Sequence, residues 1–209
     1  MAKAASQHDL TFVTFSSDYV FDGSQPIHNE DETFSPLNIY GKTKADGDLA
    51  AATTIKHYII RTSWVIGDGR NFVNIMQDLA ARGVKPSVVN DQIGRLTFTD
   101  TLARGIKHLL ETNAPYGTYN LTNEGQPASW ADIAKIVFEK SGKSPSDVQP
   151  VSTAEYFADK PNTAKRPLQS TLDLTKIEKT GFIPEDWRDK LNRQPGRSEE
   201  RRVGKECRS

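Results

Sequence analysis

Cysteine is almost missing from this chain. Its 209 residues contain one, Cys207, so neither a disulfide framework nor a thiolate metal cluster can form within it. Long apolar runs are missing as well. No stretch approaches the roughly 18 residues of a membrane-spanning helix, and the start, Met1 to Gln7, leads into His8 and Asp9 instead of a signal-peptide apolar core. The expectation is a cytoplasmic protein with no membrane partner. Neither sign of charge is in excess, with 27 Lys and Arg against 27 Asp and Glu. A chain-wide attraction for nucleic acid is therefore not expected. The histidines at 8, 28, 57 and 108 have no ligand spacing, so no metal ligands are assigned.

The apolar share, 36%, is enough for a real core, in one large domain or two small ones. Thr11 to Ser16 is rich in β-branched and aromatic residues and reads as a strand, preceded by an Ala-rich helical end. A polar loop from Asp22 to Pro36 follows, then a helix from Asn38 to about Ala52, with Ser35 and Pro36 placed to open it. His57 to Arg61 is the next strand. Strand, helix, strand in this order predicts a parallel α/β sheet.

Further along, Phe72, Ile75, Met76 and Leu79 have helical spacing and Gly83 is a stop signal. Ser87 to Val89 reads as a short strand, Asn90 to Arg95 as a polar loop, and Thr99 to Leu110 as a helix. Gly117 to Leu121 returns as a strand. Ser129 is placed to cap a helix that buries Ile133, Ile136 and Val137. Short helical pieces and Pro-containing loops fill the last 60 or so residues.

The chemistry centres on Tyr40 and Lys44. Four residues apart, they share one face of a helix, where an ammonium beside the phenol favours its ionised form. A phenol with an ordinary pKa of about 10 needs such help to transfer protons near neutrality. The spacing alone is weak, since a solvated helix face gives the same pattern. Its context is stronger: a strand ending in Ser16 and Ser17 places a hydroxyl at the carboxyl edge of the sheet, beside the helix that carries Tyr40.

Six ordered motifs carry a resemblance over about residues 3 to 191: Ser16-Ser17-Asp18-Tyr19-Val20-Phe21-Asp22-Gly23, Ser35-Pro36-Leu37-Asn38-Ile39-Tyr40-Gly41-Lys42-Thr43-Lys44, Arg61-Thr62-Ser63-Trp64-Val65, Val89-Asn90-Asp91-Gln92-Ile93-Gly94, Gly117-Thr118-Tyr119-Asn120-Leu121, and Arg166-Pro167-Leu168-Gln169-Ser170-Thr171-Leu172-Asp173. The chain resembles the extended short-chain dehydrogenase/reductases, and within them the dTDP-4-dehydrorhamnose reductases. That resemblance implies an α/β fold, a Rossmann-like doubly wound parallel sheet with a smaller mixed α/β substrate-binding domain.

It also implies an oxidoreductase that reduces the C4 keto group of a dTDP-linked 4-keto-6-deoxyhexose with NADPH or NADH. Tyr40 would be the proton donor, Lys44 would hold the nicotinamide ribose and tune Tyr40, and Ser17 would hydrogen-bond the carbonyl oxygen. Asp18 would lie alongside the sugar, Trp64 would pack on it, and Arg166 would reach the phosphates. Asp91 and Gln92 either shape the pocket or form a turn. Mg2+, a homodimer and fusion to a 3,5-epimerase domain are carried over from the family alone. Two other readings stand beside it: a non-catalytic regulatory subunit of the methionine adenosyltransferase β type, which is similar to this family, and a sugar-nucleotide epimerase or dehydratase, which shares Tyr-x-x-x-Lys.

One departure from the family concerns the cofactor. A Gly-x-Gly-x-x-Gly turn for the pyrophosphate is not found; Gly67-Asp68-Gly69-Arg70 lacks the spacing and follows the Trp64 motif. The expected division is residues 1–64 as the later part of a nucleotide-binding domain whose first βαβ units are missing, 65–191 as the substrate domain with segments returning to the sheet, and 192–209 as a disordered tail. The stretch from Arg197 to Cys207 resembles the translation of a sequencing adapter. A clipped fragment, inactive by itself, is the expectation.

Overall fold

The computed structural model describes residues 1–160 and 162–194; the expected tail lies outside the described residues from 195 onward. A short helix, α1 (Ala2–Gln7), runs into β1 (Phe12–Ser17). After a single 3-10 turn at Asp18–Val20 and a long irregular segment, α2 (Ile39–Ala52) crosses to β2 (His57–Thr62). The strands pair in parallel, Phe12 opposite His57 and Ser17 opposite Thr62. Both therefore end at the same edge.

The opening of α2 differs from expectation. Asn38, not Ser35 or Pro36, is the N-cap: its backbone is extended and its side-chain oxygen accepts from the Gly41 N–H at 2.8 Å. An asparagine directly at the boundary satisfies a helix donor that would otherwise lack a partner. Ser35 instead accepts from the Asp22 N–H at 3.0 Å, closing the loop before the helix.

Next come β3 (Val65–Ile66), α3 (Phe72–Ala81), β4 (Ser87–Val89), β5 (Ile93–Gly94), β6 (Thr97–Phe98) and α4 (Thr99–Glu111). The chain then returns to the first sheet as β7 (Gly117–Asn120), parallel to β2, giving the order β1-β2-β7. The remainder is β8 (Ala128–Ser129), α5 (Trp130–Lys140), β9 (Gln149–Val151), α6 (Thr153–Phe157), α7 (Thr175–Glu178) and α8 (Trp187–Arg193). Two-stranded pairs join β3 to β6 and β4 to β9 in parallel, and β5 to β8 antiparallel. The run from Asn90 to Arg95 is thus not all loop. A two-residue strand is too short for its alternation to register in sequence.

Three buried clusters hold this together, the smallest formed by Val20, Phe21, Ala45 and Leu172. On one face of the sheet Tyr58, Ile60, Leu109, Tyr119, Leu121 and Ile177 are buried together. Beyond it Val73 and Met76 of α3 meet Ile133, Val137 and Phe138 of α5, with Trp187 closing the cluster. Each such side chain contributes on the order of 1.5–3 kcal/mol when fully buried. Ser129 caps α5 as expected, in a reciprocal box with Asp132. The buried face of α2 is small and polar: Gly41, Ala45, Asp48 and Ala51. That stripe brings the Tyr40 helix close to the sheet.

Candidate active site

The carboxyl ends of β1 and β2 form the edge at which open parallel sheets bind ligands. Ser17, the last residue of β1, is buried; its hydroxyl donates to Asp18 Oδ1 at 2.9 Å and accepts from the Tyr19 N–H at 3.2 Å. Its one proton is committed to Asp18. Burial pushes the Asp18 carboxyl up to about 6, opposed by the hydroxyls of Ser170 and Ser17. Residues 17 and 18 thus form a buried hydroxyl–carboxyl pair.

Tyr40 sits on the first turn of α2 with 52% of its surface exposed, its ring edge-on to Tyr19 with centroids 5.5 Å apart. Gly41 makes that arrangement possible, because a Cβ there would lie 2.1 Å from the Tyr19 carbonyl oxygen. One turn on, the Lys44 ammonium donates to the Phe15 carbonyl oxygen at 2.9 Å. An ammonium has three donors, so others remain for a ligand. Ser17, Tyr40 and Lys44 therefore converge on one edge, Ser17 and Lys44 through β1 and Tyr40 through its neighbour Tyr19.

A cavity of about 630 Å3 is lined by Phe72, Trp130, Tyr156 and Phe157 and by Arg70, Lys160, Arg166 and Gln92. Aromatic walls with a few cations suit a planar base carrying phosphates. Arg166 has its guanidinium 5.9 Å from the Phe157 ring. It also lies against Tyr19, whose phenol is raised by burial and opposed by that guanidinium. Asp91 accepts from the Thr153 N–H at 2.9 Å and from its hydroxyl at 2.6 Å, and Gln92 donates to the same hydroxyl at 3.0 Å. Together they hold the start of α6, and with it Tyr156 and Phe157.

Trp64 is stacked on Trp130, centroids 3.9 Å apart, with Gly94 close against its ring. Trp130, not Trp64, lines the cavity. The φ of Trp64, 48°, is in the left-handed region, which a tryptophan adopts at a cost. Arg61, from the same motif, has no place in the cavity: its Nε donates to Asp48 Oδ2 at 3.0 Å and Nη1 to the Glu30 carbonyl oxygen at 2.9 Å. It pins α2 to β2. Tyr19, Asn38, Trp130 and the Tyr156–Phe157 pair were not singled out from sequence. Tyr19 and Asn38 lie within the ordered motifs, whereas the aromatic pair has no local signal.

Among the described residues no group of three or more His, Cys, Asp or Glu side chains could hold a metal ion, and no helix is long and apolar enough to cross a membrane.

Comparison with known proteins gives the site its relatives. The family model described as the RmlD substrate binding domain matches residues 1–197. The dTDP-4-dehydrorhamnose reductase of Aggregatibacter actinomycetemcomitans is 38% identical over 202 residues, covering 91% of this chain and 68% of that protein. The spore coat polysaccharide biosynthesis protein SpsK of Bacillus subtilis (strain 168) is 40% identical over 184 residues, covering 86% of this chain and 62% of its own length. Among solved structures, dTDP-4-dehydrorhamnose reductase from Bacillus anthracis str. Ames in complex with NADP superposes with a TM-score of 0.83 at 36% identity, over 92% of this chain and 67% of that one. The chain thus spans about two thirds of the length of these relatives.

Proposed function

The chain belongs to the RmlD substrate-binding-domain family, and on that premise we propose that it supplies the proton donor and sugar-nucleotide pocket of an NAD(P)H-dependent dTDP-4-dehydrorhamnose reductase. The substrate would be dTDP-4-dehydro-L-rhamnose and the product dTDP-L-rhamnose. The observation that carries this reading is the placement of Arg166, which lines the aromatic, cationic cavity and lies against Tyr19, the ring neighbour of an exposed Tyr40.

In this reading the cavity takes the nucleotide: the base lies against Trp130 and Phe72, and Arg166 meets the phosphates with its fork of donors. That leaves the sugar at the Ser17 edge. Tyr40 delivers its phenolic proton to the C4 oxygen as charge develops there. Ser17 turns its single proton from Asp18 to that oxygen, so Asp18 sets how readily it is released. Lys44 is held by the Phe15 carbonyl within one helical turn of Tyr40, with donors to spare for the ribose hydroxyls of a nicotinamide nucleotide. The reduced nicotinamide would supply the hydride.

These residues fit the ribose end of such a cofactor, whereas no Gly-x-Gly-x-x-Gly turn for its pyrophosphate occurs in the 209 residues. The chain by itself is therefore expected to bind dTDP without reducing the keto-sugar at a useful rate. Calorimetry with dTDP, alongside NADPH oxidation with dTDP-4-dehydrorhamnose, tests both halves. Absence of dTDP binding refutes the pocket. Turnover by the purified chain that Tyr40→Phe abolishes would support the proton donor and overturn the expected inactivity; turnover that survives Tyr40→Phe would remove Tyr40 from its role.

A further inference from the structure

Asn38 does two things with one amide. Its oxygen caps α2 by accepting from the Gly41 N–H at 2.8 Å, and its nitrogen donates to the Lys165 carbonyl oxygen at 2.7 Å. Lys165 precedes Arg166. The same side chain therefore touches the helix that carries Tyr40 and the backbone that carries the phosphate-facing arginine.

Downstream, the segment after Arg166 is fastened on both sides. Ile93 N–H donates to the Leu168 carbonyl at 2.7 Å, Ser170 N–H to the Ile93 carbonyl at 2.8 Å, and His28 N–H to the Thr171 carbonyl at 2.9 Å. At its upstream end the fastening is thin. Among the described residues, the bond from Asn38 is the one hydrogen bond on the backbone of Lys165 and Arg166. Steric contact assists it, since a Cβ on Gly23 would come within 2.7 Å of Pro167 Cβ. Contact of that kind limits approach but does not fix rotation about the chain. A directed hydrogen bond does.

We propose that Asn38 is a positioning residue that sets Arg166 relative to Tyr40, so that a bound diphosphate and the proton donor are held in one frame. The inference rests on the functional reading above for its ligand, but the clamp itself is a property of the chain. Asn38→Asp and Asn38→Ser separate the two roles. Both residues cap helices well; Asp presents no donor to the Lys165 carbonyl, and Ser is too short to span to it.

The experiment combines amide hydrogen exchange with calorimetry on the whole chain, using dTDP and thymidine as probes. In both variants exchange at the Ser170 amide and at the Ile93 amide bonded to Leu168 is expected to quicken about two- to tenfold, the range of one net hydrogen bond, while residues 41–46 of α2 keep their protection. The affinity for dTDP falls by a similar factor and that for thymidine stays, because only the diphosphate meets Arg166. Adding Arg166→Ala to Asn38→Asp then costs no more than Arg166→Ala alone. Unchanged exchange at Ser170 and Ile93, or equal loss of protection in α2, overturns the inference. If the unmodified chain fails to bind dTDP, the functional reading fails, and the exchange result still decides the clamp.

Discussion

Replacing Asp48 with alanine should be among the most damaging single changes on α2, although Asp48 touches no ligand. It and Arg61 are each 4% exposed and 3.0 Å apart. Arg61 reaches this position through the core, its guanidinium 5.3 Å from the Phe21 ring and 5.0 Å from that of Phe34, with one further bond to the Glu30 carbonyl. In Asp48→Ala those rings and that carbonyl remain, but the charge loses its counter-ion with no route to water. Stranding one member of a buried pair costs about 3–5 kcal/mol. For a chain of this size each kcal/mol moves Tm by roughly 2–4 °C, so a fall of about 10 °C is expected.

Urea unfolding followed by circular dichroism measures it, with an unchanged slope showing that the unfolded state is comparable. The companion is the double variant Asp48→Leu with Arg61→Met. Removing both charges in favour of apolar side chains of similar size should recover most of the loss. A cost below about 1 kcal/mol for Asp48→Ala, or a double variant as poor as the sum of its singles, would refute the argument that the pair is dry and mutually dependent.

The carboxyl of Asp18 gives a pH prediction with a definite sign. Its folded pKa, about 6, lies above the ordinary 3.8, so its contribution to stability is full below about pH 4 and is lost as pH rises through 6. About two units correspond to roughly 3 kcal/mol; Asp18→Asn should therefore gain on the parent chain by up to about that amount between pH 4 and pH 7.5 in urea unfolding, and a constant difference would show that the carboxyl is not held up by burial. Gly41→Ala should separate α2 from the turn at Tyr19, because the new methyl would sit 2.1 Å from a backbone oxygen. Overpacking of that kind costs about 1–3 kcal/mol, and unfolding measurements that find the variant as stable as the parent would place the helix farther from the turn than described here.

Local signals reached the elements and part of the site, and they failed where contacts are distant in sequence. The strand at β1, the helix of Tyr40 and Lys44, the strand at β2 and the Ser129 cap follow from residue type and spacing. By composition Asp22 to Pro36 reads as a polar loop. In the fold it carries His28, fully buried, stacked on Phe21 and bonded through Nε2 to the Gln169 carbonyl 141 residues away. Nothing near His28 in the chain announces that partner. Trp64 illustrates the opposite case: its motif drew attention, but which indole faces the cavity depends on a stack with Trp130, 66 positions on, that no periodicity encodes.

The segment from Lys165 to Asp173 explains why these distant contacts matter to the chemistry. Ser170 lies against the Asp18 carboxyl, Arg166 lies against Tyr19, and Lys165 is held by Asn38. One extended run thus adjoins the hydroxyl–carboxyl pair, the ring neighbour of Tyr40 and the cap of its helix. Arg166, which lines the cavity, lies against Tyr19, and Tyr19 meets the ring of Tyr40 edge-on. On the proposed reading, binding energy gathered by a nucleotide would be expressed at Tyr40, where it lowers a barrier only if the frame is tighter with the transition state bound than with the substrate.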